Sequence, residues 1–276
     1  MIRRFRQVDV FTDVPYAGNP VAVVLDGEGL ESATMQQVAQ WTNLSETTFV
    51  LPPTSPDADY RVRIFTPGFE LPFAGHPTLG TCHAWLAGQP SPLERDEVVQ
   101  ECAAGPIRVR RTMDRLAFAA PPLVRSGPVD EPLIDQVAEM LDLARPTVVA
   151  AEWVDNGPGW MALLLDRPED VLAVRPGAGD IIVGLVALYP PGSPHAIEVR
   201  AFFPKDGMLT EDPVTGSLNA SLAQWLTASG CLTTPYVASQ GAALGRAGRV
   251  HVSTDEDGAI WVGGGTVTCI EGTIEI

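Results

Sequence analysis

No stretch of the sequence approaches the roughly 18 consecutive apolar residues that a membrane-spanning helix needs, so no such span is expected. Positive charge is scarce: 18 Lys and Arg stand against 34 Asp and Glu, a net charge of −16. No Lys/Arg cluster breaks that trend. A surface of this sign repels phosphate backbones, so nucleic acid is not an expected partner. Cysteine is also sparse. Cys82, Cys102, Cys231 and Cys269 include no C-x-x-C pair, and none stands in a metal-ligand pattern with a His. A structural zinc or disulfide framework is therefore not expected, and the four read as reduced, mostly buried thiols. The opening MIRRFRQVDVFTDV is basic but lacks the apolar core of a secretory signal, which points to a cytoplasmic location. Only 19% of residues are charged and 45% are hydrophobic, a globular balance that excludes whole-chain disorder.

Proline and glycine, 25 and 26 residues, are plentiful and punctuate many short apolar runs. Runs at 8–11, 21–25, 47–51, 60–65, 98–101, 107–111 and 116–119 read as strands. So do 148–154, 161–165, 181–189, 197–203, 236–239, 250–253, 260–262 and 266–276. Helices are fewer, at 31–41, 77–87, 132–141 and 213–228. Clustered strands with few helices favour an α+β fold over a doubly wound parallel sheet.

The sequence repeats itself at about half its length. RIFTP at 63–67 answers RAFFP at 200–204, and HPTLGT at 76–81 answers DPVTGS at 212–217. A weaker echo links PVAVVLD at 20–26 to WMALLLD at 160–166. Two related halves are expected, 1–120 and 121–265, joined through the Pro/Gly-rich stretch at 121–132.

Each copy of the repeat runs strand, Pro-bearing loop, helix. Pro77 and Pro213 suit a first helical position, which makes His76 and Asp212 the expected N-caps. Gly75, Thr78, Thr215, Gly216 and Ser217 surround these starts with small or hydroxyl-bearing residues, so a substrate carboxylate could meet the first-turn amides. A pseudo-twofold relation between the halves would turn both starts to one interdomain cleft. Glu46, in NLSETTFV at 43–50, stands where a helix gives way to an apolar strand. Desolvation at such a strand mouth would raise its pKa and make it a proton carrier near neutral pH. Gly263-Gly264-Gly265 lacks the strand-then-helix context of a dinucleotide loop and reads as a turn; the segment 241–248 reads as a strand connection. Trp41, Trp85 and Trp225 read as core.

YAGNPVAVVLD at 16–26, NLSETTFV at 43–50, RIFTPGFELPFAGHPTLGT at 63–81, EDPVTGSLNASLAQWL at 211–226 and QGAALGRAGRVHV at 240–252 together resemble the PhzF-like isomerases of phenazine biosynthesis. The resemblance covers essentially the whole chain. It implies a diaminopimelate-epimerase-like fold: two pseudo-symmetric β-barrel-like domains, each wrapped around a central helix, with the final strand near 266–276 returning to the first. It also implies that Glu46 is the catalytic carboxylate, that His76 and Asp212 assist it, and that Ser217 lines the cleft. Epimerases of this fold use two facing cysteines at the helix starts. Here those positions hold Gly75-His76-Pro77 and Glu211-Asp212-Pro213, and Cys82 lies further down the helix, so a two-cysteine mechanism is not supported. Leu218-Asn219 departs from the small residues common there.

The expected activity is a cofactor-independent isomerisation of a small carboxylate-bearing metabolite, with no metal, by a homodimer. Glu46, His76 and Asp212 would carry and direct the proton, and Thr215, Gly216, Ser217, Gly75 and Thr78 would hold the substrate. An amino-acid epimerase or racemase, and a non-catalytic binding protein that keeps the fold, are the alternatives.

Overall fold

The structure is a computed structural model that describes residues 1–90, 96–112 and 114–276. The chain forms two compact units, Met1–Ala119 with Gly263–Ile276, and Ala120–Val262. Both are mixed sheets with few helices.

The first unit contains β1 (Ile2–Val10), β2 (Asn19–Val24), α1 (Ser32–Thr42), β3 (Glu46–Leu51), β4 (Tyr60–Phe65), the short β5 (Glu70–Leu71), α2 (Gly75–Leu86), β6 (Glu97–Cys102), β7 (Gly105–Arg111) and β8 (Leu116–Ala119). The second holds β9 (Arg125–Pro128), α3 (Glu131–Met140), β10 (Val148–Asp155), β11 (Met161–Leu165), α4 (Pro168–Ala173), β12 (Val183–Leu188), β13 (Ile197–Lys205), β14 (Met208–Asp212), α5 (Gly216–Ala228), β15 (Tyr236–Gln240), β16 (Gly248–Thr254) and most of β17 (Ile260–Gly264). β18 (Thr266–Glu275) returns to the first unit and pairs with β1 along its length.

The repeat seen in the sequence recurs in the ladders. In the first unit β1 is antiparallel to β2, β2 parallel to β3, β3 antiparallel to β4, β4 antiparallel to β5 and parallel to β6, and β6 antiparallel to β7. In the second, β10 through β16 repeat that series in the same order of directions. A parallel pair needs a crossover, and a helix supplies each one. The crossovers are α1 between β2 and β3, α2 between β4 and β6, α4 between β11 and β12, and α5 between β13 and β15.

Helix α2 is buried from Gly75 through Cys82 and again at Ala84. A helix covered along so much of its surface needs apolar or small residues on nearly every face, and GHPTLGTCHAWL supplies them. It packs on β1, β2, β3, β8 and β18. At Gly80 the helix comes close to the sheet: a Cβ there would overlap Val21 Cγ1 and touch Val10 Cγ2 at 3.0 Å. In the second unit the glycine sits on the strand instead: a Cβ at Gly184 of β12 would stand 2.5 Å from Leu218 Cδ1 of α5. On the other face of each sheet a second cluster forms. Met35 and Ala39 of α1 cover Val24, Phe49 and Phe65, and Ile134 and Val137 of α3 pack with Leu163, Leu185 and Phe202.

Several expectations are corrected. Both central helices begin elsewhere than at His76-Pro77 and Asp212-Pro213. The N-cap of α2 is Ala74, which puts His76 and Pro77 inside the first turn; proline fits there because first-turn N–H groups have no intrahelical partner. The N-cap of α5 is Thr215, and Asp212 ends strand β14, which the sequence reading did not anticipate. Trp41 is not core but 80% exposed, because α1 faces the sheet with Met35 and Ala39. Among the cysteines Cys82 and Cys102 are buried, Cys269 is half-buried and Cys231 is exposed. Among the described residues, no helix is long and apolar enough to cross a membrane.

The packing at Gly80 sets an expected outcome. Gly80→Ala gains about 1 kcal/mol of helix propensity but drives a methyl group into β-branched Val21 and Val10. It should lower unfolding free energy by about 1–3 kcal/mol, as overpacking does. Urea denaturation measures this, and a variant at least as stable as the parent would refute the close-packing account.

Candidate active site

Glu46 is the first residue of β3 and lies beside Val21 of the parallel strand β2. Its side chain is 14% exposed and that of His76 only 5%. His76 Nε2 lies 3.3 Å from Glu46 Oε2. On the other side of the ring, His76 Nδ1 is 3.4 Å from Asn19 Nδ2. Burial pushes the His76 pKa down to about 3, and a hydrogen bond with the backbone of Pro20 offsets part of that shift. The imidazole is therefore neutral at pH 7, and the contact with Glu46 is a close approach of two polar groups, not an ion pair.

A neutral imidazole carries one N–H donor and one acceptor nitrogen. Its Nε2 faces Glu46 and its Nδ1 faces the Asn19 amide nitrogen.

In the second unit the groups converge on the start of α5. Thr215 Oγ1 donates to Asp212 Oδ2 at 2.5 Å. Gln240, fully buried at the end of β15, reaches the same turn. Its Oε1 accepts from the Thr215 N–H at 3.0 Å and from Asn219 Nδ2 at 2.8 Å, and its Nε2 donates to Thr215 Oγ1 at 2.9 Å. Ser217 Oγ accepts from the indole N–H of Trp160 at 3.0 Å, and the Ser217 carbonyl accepts from Asn156 Nδ2 at 2.9 Å. Gly216 is the first residue of the helix. The first-turn amides of α5, like those of α2, stand outside the helix's own ladder and carry its partial positive charge.

The expected residues thus fall into two sets. Glu46, His76 and Gly75 gather at the start of α2, and Asp212, Thr215, Gly216 and Ser217 gather at the start of α5. Thr78 is fully buried, and its hydroxyl accepts from Gln100 Nε2 at 2.8 Å, a bond that ties α2 to β6. Asn219 is fully buried and braces the first turn, with Nδ2 also 2.9 Å from the Thr215 carbonyl. Cys82 is inert: burial raises its pKa to about 12.

Asn19, Pro20, Trp160 and Gln240 were not among the expected site residues. For two of them the sequence held a signal. The echo of 20–26 in 160–166 sets Pro20 opposite Trp160, and these residues brace His76 and Ser217 respectively.

Comparison with known proteins bears on the whole chain. The phenazine biosynthesis-like protein family matches residues 8–272. Antisense-enhancing sequence 1 of Schizosaccharomyces pombe is 34% identical, over 97% of this chain and 97% of its own. The trans-2,3-dihydro-3-hydroxyanthranilate isomerase of Pseudomonas aeruginosa is 31% identical, over 98% and 99% of the two chains. Among solved structures, a PhzF-family protein from Bacillus anthracis superposes over 100% of both chains with a TM-score of 0.84, at 22% identity.

The buried His76 also sets a pH dependence. Its pKa is about 3 in the folded chain and about 6.5 when unfolded. Between those values the unfolded chain binds the extra proton, so stability falls as pH drops through this window. In that window the parent should lose up to about 1.4 kcal/mol per pH unit more than His76→Asn. Urea titrations near pH 7 and pH 5 measure this. Parallel losses in the two proteins would mean that His76 is not a buried neutral base.

Proposed function

Since the chain belongs to the phenazine biosynthesis-like family and is an isomerase, we propose that it shifts a proton between two carbons of a small carboxylate-bearing substrate, with Glu46 as the proton carrier. The observation that supports this most is the 3.3 Å contact between Glu46 and a histidine that burial keeps neutral. A carboxylate in that setting can take a proton from carbon and return it without building charge on its partner.

The step balances without a cofactor. Glu46 removes a proton from a carbon next to an activating group, and the electron pair of the broken C–H bond forms a new double bond. The existing double bond gives up its pair to the proton delivered at the distal carbon, and Glu46 is restored as carboxylate. A placed acid/base contributes about 10²–10⁴-fold; fixed geometry and preorganised electrostatics account for the remainder. In this reading His76 orients the substrate and Asp212 assists the return of the proton. The first-turn amides of α5, with Gly216 and the Ser217 hydroxyl, hold the carboxylate, and Glu46, His76 and Asp212 act on one substrate. The corresponding fold is two barrel-like sheets, one closed around α2 and one around α5. Burial of both helices along most of their length supports it.

The first substrate to try is trans-2,3-dihydro-3-hydroxyanthranilate, named for the Pseudomonas aeruginosa relative, followed by a panel of cyclic and amino carboxylates. Turnover in deuterium oxide, followed by NMR, separates a double-bond shift from inversion at one carbon. Glu46→Gln should lower kcat by about 10²–10⁴-fold and leave the thermal midpoint nearly unchanged. Full activity in that variant would remove Glu46 from the reaction. Extensive dialysis against a chelator should leave kcat unaltered. Activity lost on chelation and restored by one divalent ion would overturn the cofactor-free mechanism.

A further inference from the structure

We propose that Gln240 is a positioning residue: acting through the Thr215 hydroxyl, it fixes Asp212 Oδ2 as a hydrogen-bond acceptor and so sets how the carboxyl group is presented to substrate. This deepens the reading above and depends on Asp212 taking part in the reaction.

The polarity of the chain is set at its buried end. A primary amide offers two donor hydrogens and an acceptor oxygen with two lone pairs. Gln240 uses all of these. Its Oε1 accepts from the Thr215 N–H at 3.0 Å and from Asn219 Nδ2 at 2.8 Å, and its Nε2 donates to Thr215 Oγ1 at 2.9 Å and to the Asp212 carbonyl at 3.3 Å. Turning the amide over would set N–H against N–H at both Thr215 and Asn219, so its orientation is determined by its partners. Asn219 is fixed in turn, because Nδ2 also donates to the Thr215 carbonyl at 2.9 Å. Thr215 Oγ1 therefore receives a hydrogen from Gln240 and directs its own to Asp212 Oδ2, 2.5 Å away. A hydroxyl-to-carboxylate bond of that kind is among the stronger hydrogen bonds in proteins. Gln240 and Asn219 are fully buried and Thr215 is 7% exposed, so water does not compete along the chain. The network thus holds Asp212 Oδ2 in place as an acceptor.

The test reads the network directly by NMR on the full chain labelled with ¹³C and ¹⁵N. In the parent, the Thr215 hydroxyl proton should be a slowly exchanging resonance correlated with the Asp212 carboxyl carbon. Gln240→Glu keeps an acceptor for the Thr215 N–H and removes the donor to Thr215 Oγ1. Gln240→Met, close in volume, removes both functions and covers the case in which a buried carboxylate prevents folding. In each folded variant the hydroxyl proton should exchange about tenfold faster or more, while amide protection in the later turns of α5 is retained. Thr215→Val should move the Asp212 carboxyl carbon to the same position as the Gln240 variants do. With a turned-over substrate, Gln240→Glu and Thr215→Val should each lower kcat more than they raise KM, and the double variant should be no slower than the slower single one. Persistence of the Thr215 resonance in the Gln240 variants, or rate losses that multiply, would overturn the proposal. Asp212→Asn keeps the two ideas apart: wild-type turnover there removes Asp212 from the reaction, whereas the hydroxyl signal judges Gln240 whatever Asp212 does.

Discussion

The structure depends most on the enclosure of helix α2. A helix covered on nearly all sides can meet its strands only where side chains are absent or small, and Gly80 against Val21 and Val10 meets that requirement. The same enclosure takes water from the first turn and so sets the chemistry of His76. A ring with 5% exposure cannot hold a charge beside apolar strands, so it remains a neutral partner for Glu46. Packing and proton chemistry thus follow from one fact of burial.

The two units share a ladder pattern but have diverged at their helix starts. In each, a glutamine from a strand neighbouring the helix donates its amide to a threonine hydroxyl on the first turn or its cap: Gln100 to Thr78 in one, Gln240 to Thr215 in the other. The far side of the bond differs. Gln100 accepts from the Tyr60 hydroxyl, a group deep in the core whose pKa burial raises. Thr215 passes its hydrogen bond to Asp212. One motif serves packing in the first half and a carboxylate in the second.

Much of this was legible in the sequence because it rests on short-range features. Alternating apolar runs gave most strands, the repeat of RIFTP and HPTLGT marked His76 and Asp212 as equivalent positions, and NLSETTFV marked Glu46 where a helix gives way to a strand. What was hidden depends on partners distant along the chain. β14 is short and polar, MLTED, and is a strand because β13 pairs with it. The start of α5 is set by Gln240, which competes for the Thr215 N–H that local rules would give to an Asp212 cap. Trp41 has the composition of a core residue and the helical phase of a surface one, and the phase decided its place.

The pairing of β18 with β1 has a consequence for how the chain is made. His83 of α2 holds that last strand through two threonines, with Nδ1 2.9 Å from Thr266 Oγ1 and Nε2 2.8 Å from Thr268 Oγ1. The second unit is contiguous, Ala120–Val262, while the first lacks the second partner of β1 until Gly263–Ile276 has been added. On the ribosome, therefore, the part synthesised later is whole before the part synthesised first. Through that interval β1 presents an unpaired edge, which the finished protein conceals.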